Sequence, residues 1–131
     1  MAPCSLTKRE RLVSKKLIDE LFGGDKRKAL SAYPLRMVYL LREGVTVETP
    51  VQVLISVPKR HLKHAVDRNR VKRQIRECYR RQKQLLIDRV NAQGQTLAIA
   101  LIWQANRLYP THEVSACVEK LLKLLEKRCW S

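Results

Sequence analysis

Between residues 59 and 89, twelve Lys or Arg side chains stand against three acids, Asp67, Glu77 and Asp88, a surplus of nine within a chain that carries +15 overall. Read as a helix turning about 100° per residue, this stretch places Lys72, Arg76, Arg80 and Lys83 on one flank with Arg73 beside them. Such a stripe binds anions. An ordinary solvated face mixes signs, because like charges at i,i+4 repel at a cost of about 0.2–0.5 kcal/mol per pair. Arg68 and Arg70 also crowd a helix N-terminus, where the backbone dipole disfavours cations. A sequence that accepts both penalties is built for an anionic partner. Arg outnumbers Lys in the stripe, and its planar fork suits bidentate contact with phosphate and base edges. Nucleic acid leads and an anionic membrane surface follows; charge alone leaves DNA and RNA both open.

No catalytic constellation accompanies the stripe. Phosphodiester hydrolysis needs metal-binding carboxylates, a His pair or an equivalent. His61 and His64 lie in a basic connection with no acid cluster beside them, and His112 is isolated. Asp67 reads as a helix cap and Glu77 as a local partner for Arg73 or Arg81. The residues therefore point to binding rather than chemistry.

A chain of 131 residues suits one domain with a modest core, and its 45% hydrophobic content argues against a disordered basic tail. The longest apolar run, 97–103, is too short to span a bilayer, and no secretory leader is expected at the N-terminus. Cys4, Cys78, Cys117 and Cys129 form no C-x-x-C pair and read as reduced thiols in a cytoplasmic protein.

The elements that must hold the stripe follow from periodicity. Residues 8–22 read as a helix with Leu12, Val13, Leu17, Ile18, Leu21 and Phe22 as its stripe, stopped by Gly23-Gly24, with 26–28 as a basic loop. Strands are expected over 35–42, with a turn at Gly44, and over 51–57. Residues 59–64 connect to a long helix from Asp67 to about residue 90, whose docking face is Val71, Ile75, Cys78, Tyr79, Gln82 and Leu86. The run 97–103 reads as a strand buried on both faces. After Pro110 comes a last helix with Val114, Cys117, Val118, Leu121, Leu122 and Leu125 inward; its Lys120, Lys123, Lys127 and Arg128 read as solvated. The order is α-β-β-α-β-α, an α+β sandwich of a small mixed sheet with helices.

Ser56-Val57-Pro58-Lys59-Arg60, followed by Ala65-Val66-Asp67-Arg68-Asn69-Arg70-Val71-Lys72-Arg73-Gln74-Ile75-Arg76-Glu77, resembles the signature of the bacterial ribonuclease P protein component. The opening Lys8-Arg9-Glu10-Arg11-Leu12, the strand ending in Val38-Tyr39-Leu40, and the apolar strand and leucine-rich helix that follow extend the resemblance over most of the chain. It implies the order α-β-β-β-α-β-α, one short strand more than periodicity reveals, with a left-handed βαβ crossover, in a single RNA-binding domain over residues 1–131.

The resemblance also implies a role. Such proteins are accessory to a catalytic RNA that removes the 5′ leader from precursor tRNA, with Mg2+ bound mainly by the RNA. Lys59, Arg60, Arg68, Asn69, Arg70, Lys72, Arg73 and Arg76 would lie against the catalytic RNA, and replacing Arg68 or Arg70 by Ala would leave the fold intact. Ile18, Phe22 and Tyr39 match the family's aromatic cleft for the single-stranded leader, where stacking is worth about 1–3 kcal/mol per base. Ile18 departs from the usual Phe and reads as core packing; Tyr39 would face the cleft if it alternates outward. Residues 61–64 lack the glycine many relatives carry. The implied partners are the catalytic RNA and precursor tRNA, with neither DNA nor membrane. A ribosomal or RNA-assembly protein is the alternative, and a stand-alone metal-dependent nuclease is disfavoured by the scattered acids.

Overall fold

The structure, a computed structural model, describes residues 18, 19, 22, 23, 27–43 and 50–130. Residues 18, 19 and 22 are helical, as the first apolar stripe predicts, and so is Gly23, one of the two glycines expected to stop that helix; the rest of 8–22, Gly24, Lys26, Gly44 and Cys4 lie outside the described residues. Four strands and two helices follow: β1 (Lys28–Ala32), β2 (Leu35–Glu43), β3 (Val51–Ser56), α1 (Ala65–Ala92), β4 (Gln95–Trp103) and α2 (Thr111–Trp130). The mixed sheet runs β1-β2-β4-β3, with β2 antiparallel to its neighbours β1 and β4, and β3 parallel to β4.

β1 is the strand that periodicity misses, and Lys28 belongs to it rather than to a basic loop. Its sequence, KALSA, carries no β-branched or aromatic residue, and only Leu30 and Ala32 are buried. A two-residue turn, Tyr33-Pro34, folds it onto β2 with Ala32 opposite Leu35. β4 pairs along its full length with β2, from Leu35–Trp103 to Glu43–Gln95, and lies between β2 and β3; side chains pack on both its faces, which is why its run is apolar throughout.

Alternation along β2 and β4 divides the sheet into two environments. Leu35, Met37 and Tyr39 on β2 and Leu97, Ile99, Leu101 and Trp103 on β4 join the helices in the main core. Val38 and Leu40 with Ala98 and Ala100 form a second cluster on the opposite face. The small alanines leave room there, and Ile18 packs into it.

α1 packs on β3, β4 and α2, and α2 also covers β1 and β2. The inward face of α1 contains Val71, Ile75, Cys78, Tyr79 and Leu86, as its period predicts, together with Gln74, Lys83 and Val90. Gln82 is half-buried and donates to Ser115 on α2. Two expectations are corrected. The helix begins at Ala65 with His64 as its cap, so Asp67 sits within the first turn, where its charge complements the dipole. Lys83 is 4% exposed and belongs to the interior rather than to the basic stripe. Gly94, at φ 65°, ends the α1 terminus in the left-handed conformation that favours glycine.

Candidate nucleic-acid interface

The basic surface is assembled where β3 hands over to α1. Pro58 accepts from the backbone of His61 at 3.1 Å and Leu62 at 3.3 Å, which bends the chain so that Lys59 and Arg60 project from an exposed turn. Leu62, 6% exposed, anchors the turn in the core. Arg68 reaches back from the first turns of α1 and donates to the carbonyl oxygens of Leu62 at 3.0 Å and Lys63 at 2.7 Å. This residue, expected to face RNA, is half-buried and commits one guanidinium nitrogen to its own chain. Those two bonds also fix the connection that presents Lys59 and Arg60, so its replacement bears on the fold as well.

Along α1, Asn69, Arg70 and Arg73 are exposed, and Lys72 and Arg76 are half-exposed at the margins of the same face. None of the four cations pairs with a carboxylate of the described residues. Arg80 does: its guanidinium forms a bidentate pair with Glu77, and Arg81 adds a bond to Glu77 at 3.2 Å. The bond from Arg80, then its charge and those of Arg81, hold the Glu77 carboxyl below its ordinary range. Glu77 therefore serves Arg80 and Arg81, not Arg73, and the unneutralised stripe ends near Arg76.

A loop that sequence reading passed over completes the surface. His61 Nδ1 lies 2.8 Å from Asn106 Oδ1, and Arg60 Nε lies 3.5 Å from His61 Nε2; a neutral ring protonated at Nδ1 satisfies both contacts. Gln74 donates its amide to the carbonyl oxygen of Tyr109 and to Thr111 Oγ1, both at 3.0 Å. The segment after β4 is thus tied at one end to the β3–α1 connection and at the other to α1. Between the ties, exposed Arg107 lies with its guanidinium carbon 3.9 Å from the centre of the Tyr109 ring. That ring stands edge-on to Trp103 at 5.4 Å. The sequence signal was slight: an Arg two positions before a Tyr, in a non-periodic stretch.

The aromatic cleft needs correction. Tyr39 is 3% exposed and faces the helices, where burial, then the neighbouring Cys129, pushes its phenol up against a smaller opposing pull from Arg128. Ile18 packs on the other face of the sheet with Val38, Leu40, Ala98 and Ala100. Phe22 is 40% exposed. Tyr39 thus does not share a surface with Ile18, because its position in the β2 alternation turns it inward.

On α2, Lys123 pairs with Glu119 at 3.0 Å, and the groove along that helix alternates Lys120, Lys123 and Lys127 with Glu119 and Glu126. Mixed signs of this kind mark a solvated face. Among the described residues no three His, Cys, Asp or Glu side chains come together as metal ligands, and no helix is long and apolar enough to cross a membrane.

Comparison with known proteins meets this geometry. Residues 6–127 match the family model described as Ribonuclease P. A ribonuclease P protein component from Porphyromonas gingivalis is 38% identical over 117 residues, which is 89% of this chain and 83% of the relative. Another, from Nitrosococcus oceani, is 28% identical over 129 residues, 98% of each chain. The RNase P protein of Staphylococcus aureus superposes with a TM-score of 0.68 at 19% identity, over 89% of this chain and 95% of that one. The RNase P protein of Thermotoga maritima does so at 0.58 and 24%, over 91% and 97%. These solved structures share the α+β fold with its four-stranded mixed sheet and two packed helices.

Proposed function

We propose that this chain, which belongs to the ribonuclease P protein family, is the protein subunit of ribonuclease P and acts as the accessory part of that endoribonuclease in the cytoplasm. It binds the catalytic RNA and the 5′ leader of precursor tRNA, and assists removal of the leader to give the mature tRNA 5′ end. The observation that carries this reading is the cationic surface at the β3–α1 connection. There Arg70, Lys72, Arg73 and Arg76 stand without carboxylate partners among the described residues, beside Lys59 and Arg60 on their braced turn.

A folded RNA that approaches a second RNA must overcome phosphate repulsion. Each Lys or Arg that meets a phosphate relieves part of it and releases condensed counterions, so affinity falls steeply with salt. Mg2+ is bound mainly by the RNA and supplies the cleavage chemistry there. The protein's side chains lower the Mg2+ concentration needed for assembly and hold the substrate. Asn69 adds an uncharged amide to the same face. The leader follows the sheet face that carries Ile18, with exposed Phe22 as its stacking platform and Tyr39 left out. A membrane surface is not the partner, since the apolar side of α1 is consumed by the core; the family likeness, not the charge, favours RNA over DNA.

Competition binding tests the reading against a general RNA-assembly role. The ribonuclease P RNA transcribed from the same genome is expected to displace a ribosomal RNA fragment of equal length, and to bind at least tenfold more tightly at moderate salt. Equal affinity for the two RNAs would favour the assembly role.

A further inference from the structure

Arg107 lies outside every residue that the motif at the start of α1 brings to attention, yet the fold fixes it beside that motif. We propose that Arg107 is a preorganised RNA-backbone contact, extending the interface from the β3–α1 connection and α1 onto the segment between β4 and α2; this rests on the function proposed above.

Three observations carry it. Asn106, its neighbour in the chain, is held by His61 at 2.8 Å, and His61 is in turn next to Arg60. Tyr109, two residues on, is held through its carbonyl by Gln74, which lies one helical turn after Arg70 on α1. The Arg107 side chain itself is exposed and rests on the Tyr109 ring at 3.9 Å, with no carboxylate partner among the described residues.

An exposed Arg ordinarily loses rotamer freedom when it binds. Stacking on a ring that is wedged against Trp103 removes much of that freedom beforehand. One face of the guanidinium is occupied by the ring, and its N–H edges remain open to the paired oxygens of a phosphodiester. A surface that served only solubility would have no need to anchor a loop at both ends to present one cation.

The test is filter binding of the same-genome ribonuclease P RNA across a salt series, with Arg107→Ala, Arg107→Lys and Arg73→Ala beside the wild type. Arg107→Ala is expected to weaken binding about five- to tenfold. It should also reduce the slope of log affinity against log salt by about 0.7–0.9, the value of one phosphate contact. Arg107→Lys should restore the slope but only part of the affinity, and neither change should alter the melting curve. Wild-type affinity and slope for Arg107→Ala, with Arg73→Ala weakened, would overturn this inference alone. If both Ala variants bind as wild type, the interface proposed for α1 fails with it.

Discussion

Arg68 and Lys63, five residues apart, are joined by a 2.7 Å hydrogen bond from a guanidinium nitrogen to a backbone carbonyl oxygen. The same nitrogen also reaches the carbonyl of Leu62, so one charged group closes the connection that carries Lys59 and Arg60. A cation that motif reading assigns to the RNA is thereby a brace of the surface it belongs to.

Arg68→Ala should therefore destabilise the protein by about 1–3 kcal/mol, the range for lost hydrogen bonds to a charged donor. Chemical denaturation would show it, with RNA binding weakened in parallel. A variant as stable as wild type would mean that the brace contributes nothing measurable.

Arg70→Ala and Arg73→Ala make the contrast. Both side chains are exposed and unpaired within the described residues, so melting curves should be unchanged. Each variant should bind the ribonuclease P RNA more weakly, with the salt slope reduced by about 0.7–0.9.

Tyr39→Ala removes a ring that is 3% exposed in the main core and should cost about 3–5 kcal/mol. Tyr39→Phe keeps the packing and should leave the preference for precursor over mature tRNA unchanged. Phe22→Ala should reduce that preference with little loss of stability, because Phe22 is 40% exposed. Comparative binding of precursor and mature tRNA to the assembled enzyme measures both effects.

Stability should fall in alkaline solution. Burial is the main cause that pushes the thiols of Cys78, Cys117 and Cys129 above their ordinary 9.0, and the Tyr39 phenol above its ordinary 10.0. The folded state thus holds these protons more tightly than the unfolded chain does. The contribution is full below pH 9 and is lost as pH rises through the folded values. Melting temperature should be level from pH 7 to about 8.5 and decline beyond it. Glu77 acts in the opposite direction: its lowered value stabilises above its ordinary 4.5 and is lost in acid.

Most of the fold was legible because it rests on long periodic segments. The apolar run of β4, the 3.6-residue stripes of α1 and α2, and the β-branched β3 all fall close to their predicted bounds. β1 escaped because Ala and Ser carry no strand signal and only two of its side chains are buried. The site was legible in charge but not in partnership. Sequence spacing puts Arg68, Arg80 and Lys83 with the other cations, whereas backbone carbonyls tie down Arg68, Glu77 neutralises Arg80 and the interior takes in Lys83. Tyr39 shows the matching limit in a strand: alternation fixes that Val38 and Tyr39 point opposite ways, but only the packed helices decide which way is in. Arg107 was invisible because the residues that hold its flanking positions, His61 on Asn106 and Gln74 on Tyr109, are more than thirty residues away in the chain.

The most direct test of the proposed function is precursor-tRNA cleavage at low Mg2+ by the ribonuclease P RNA of the same genome, with and without this protein. We expect correct 5′-leader removal to be much faster when both are present than with the RNA alone, and no cleavage from the protein alone. An unchanged rate, with the protein bound to the RNA, would contradict the subunit role; cleavage by the protein without RNA would contradict the assignment of catalysis to the RNA.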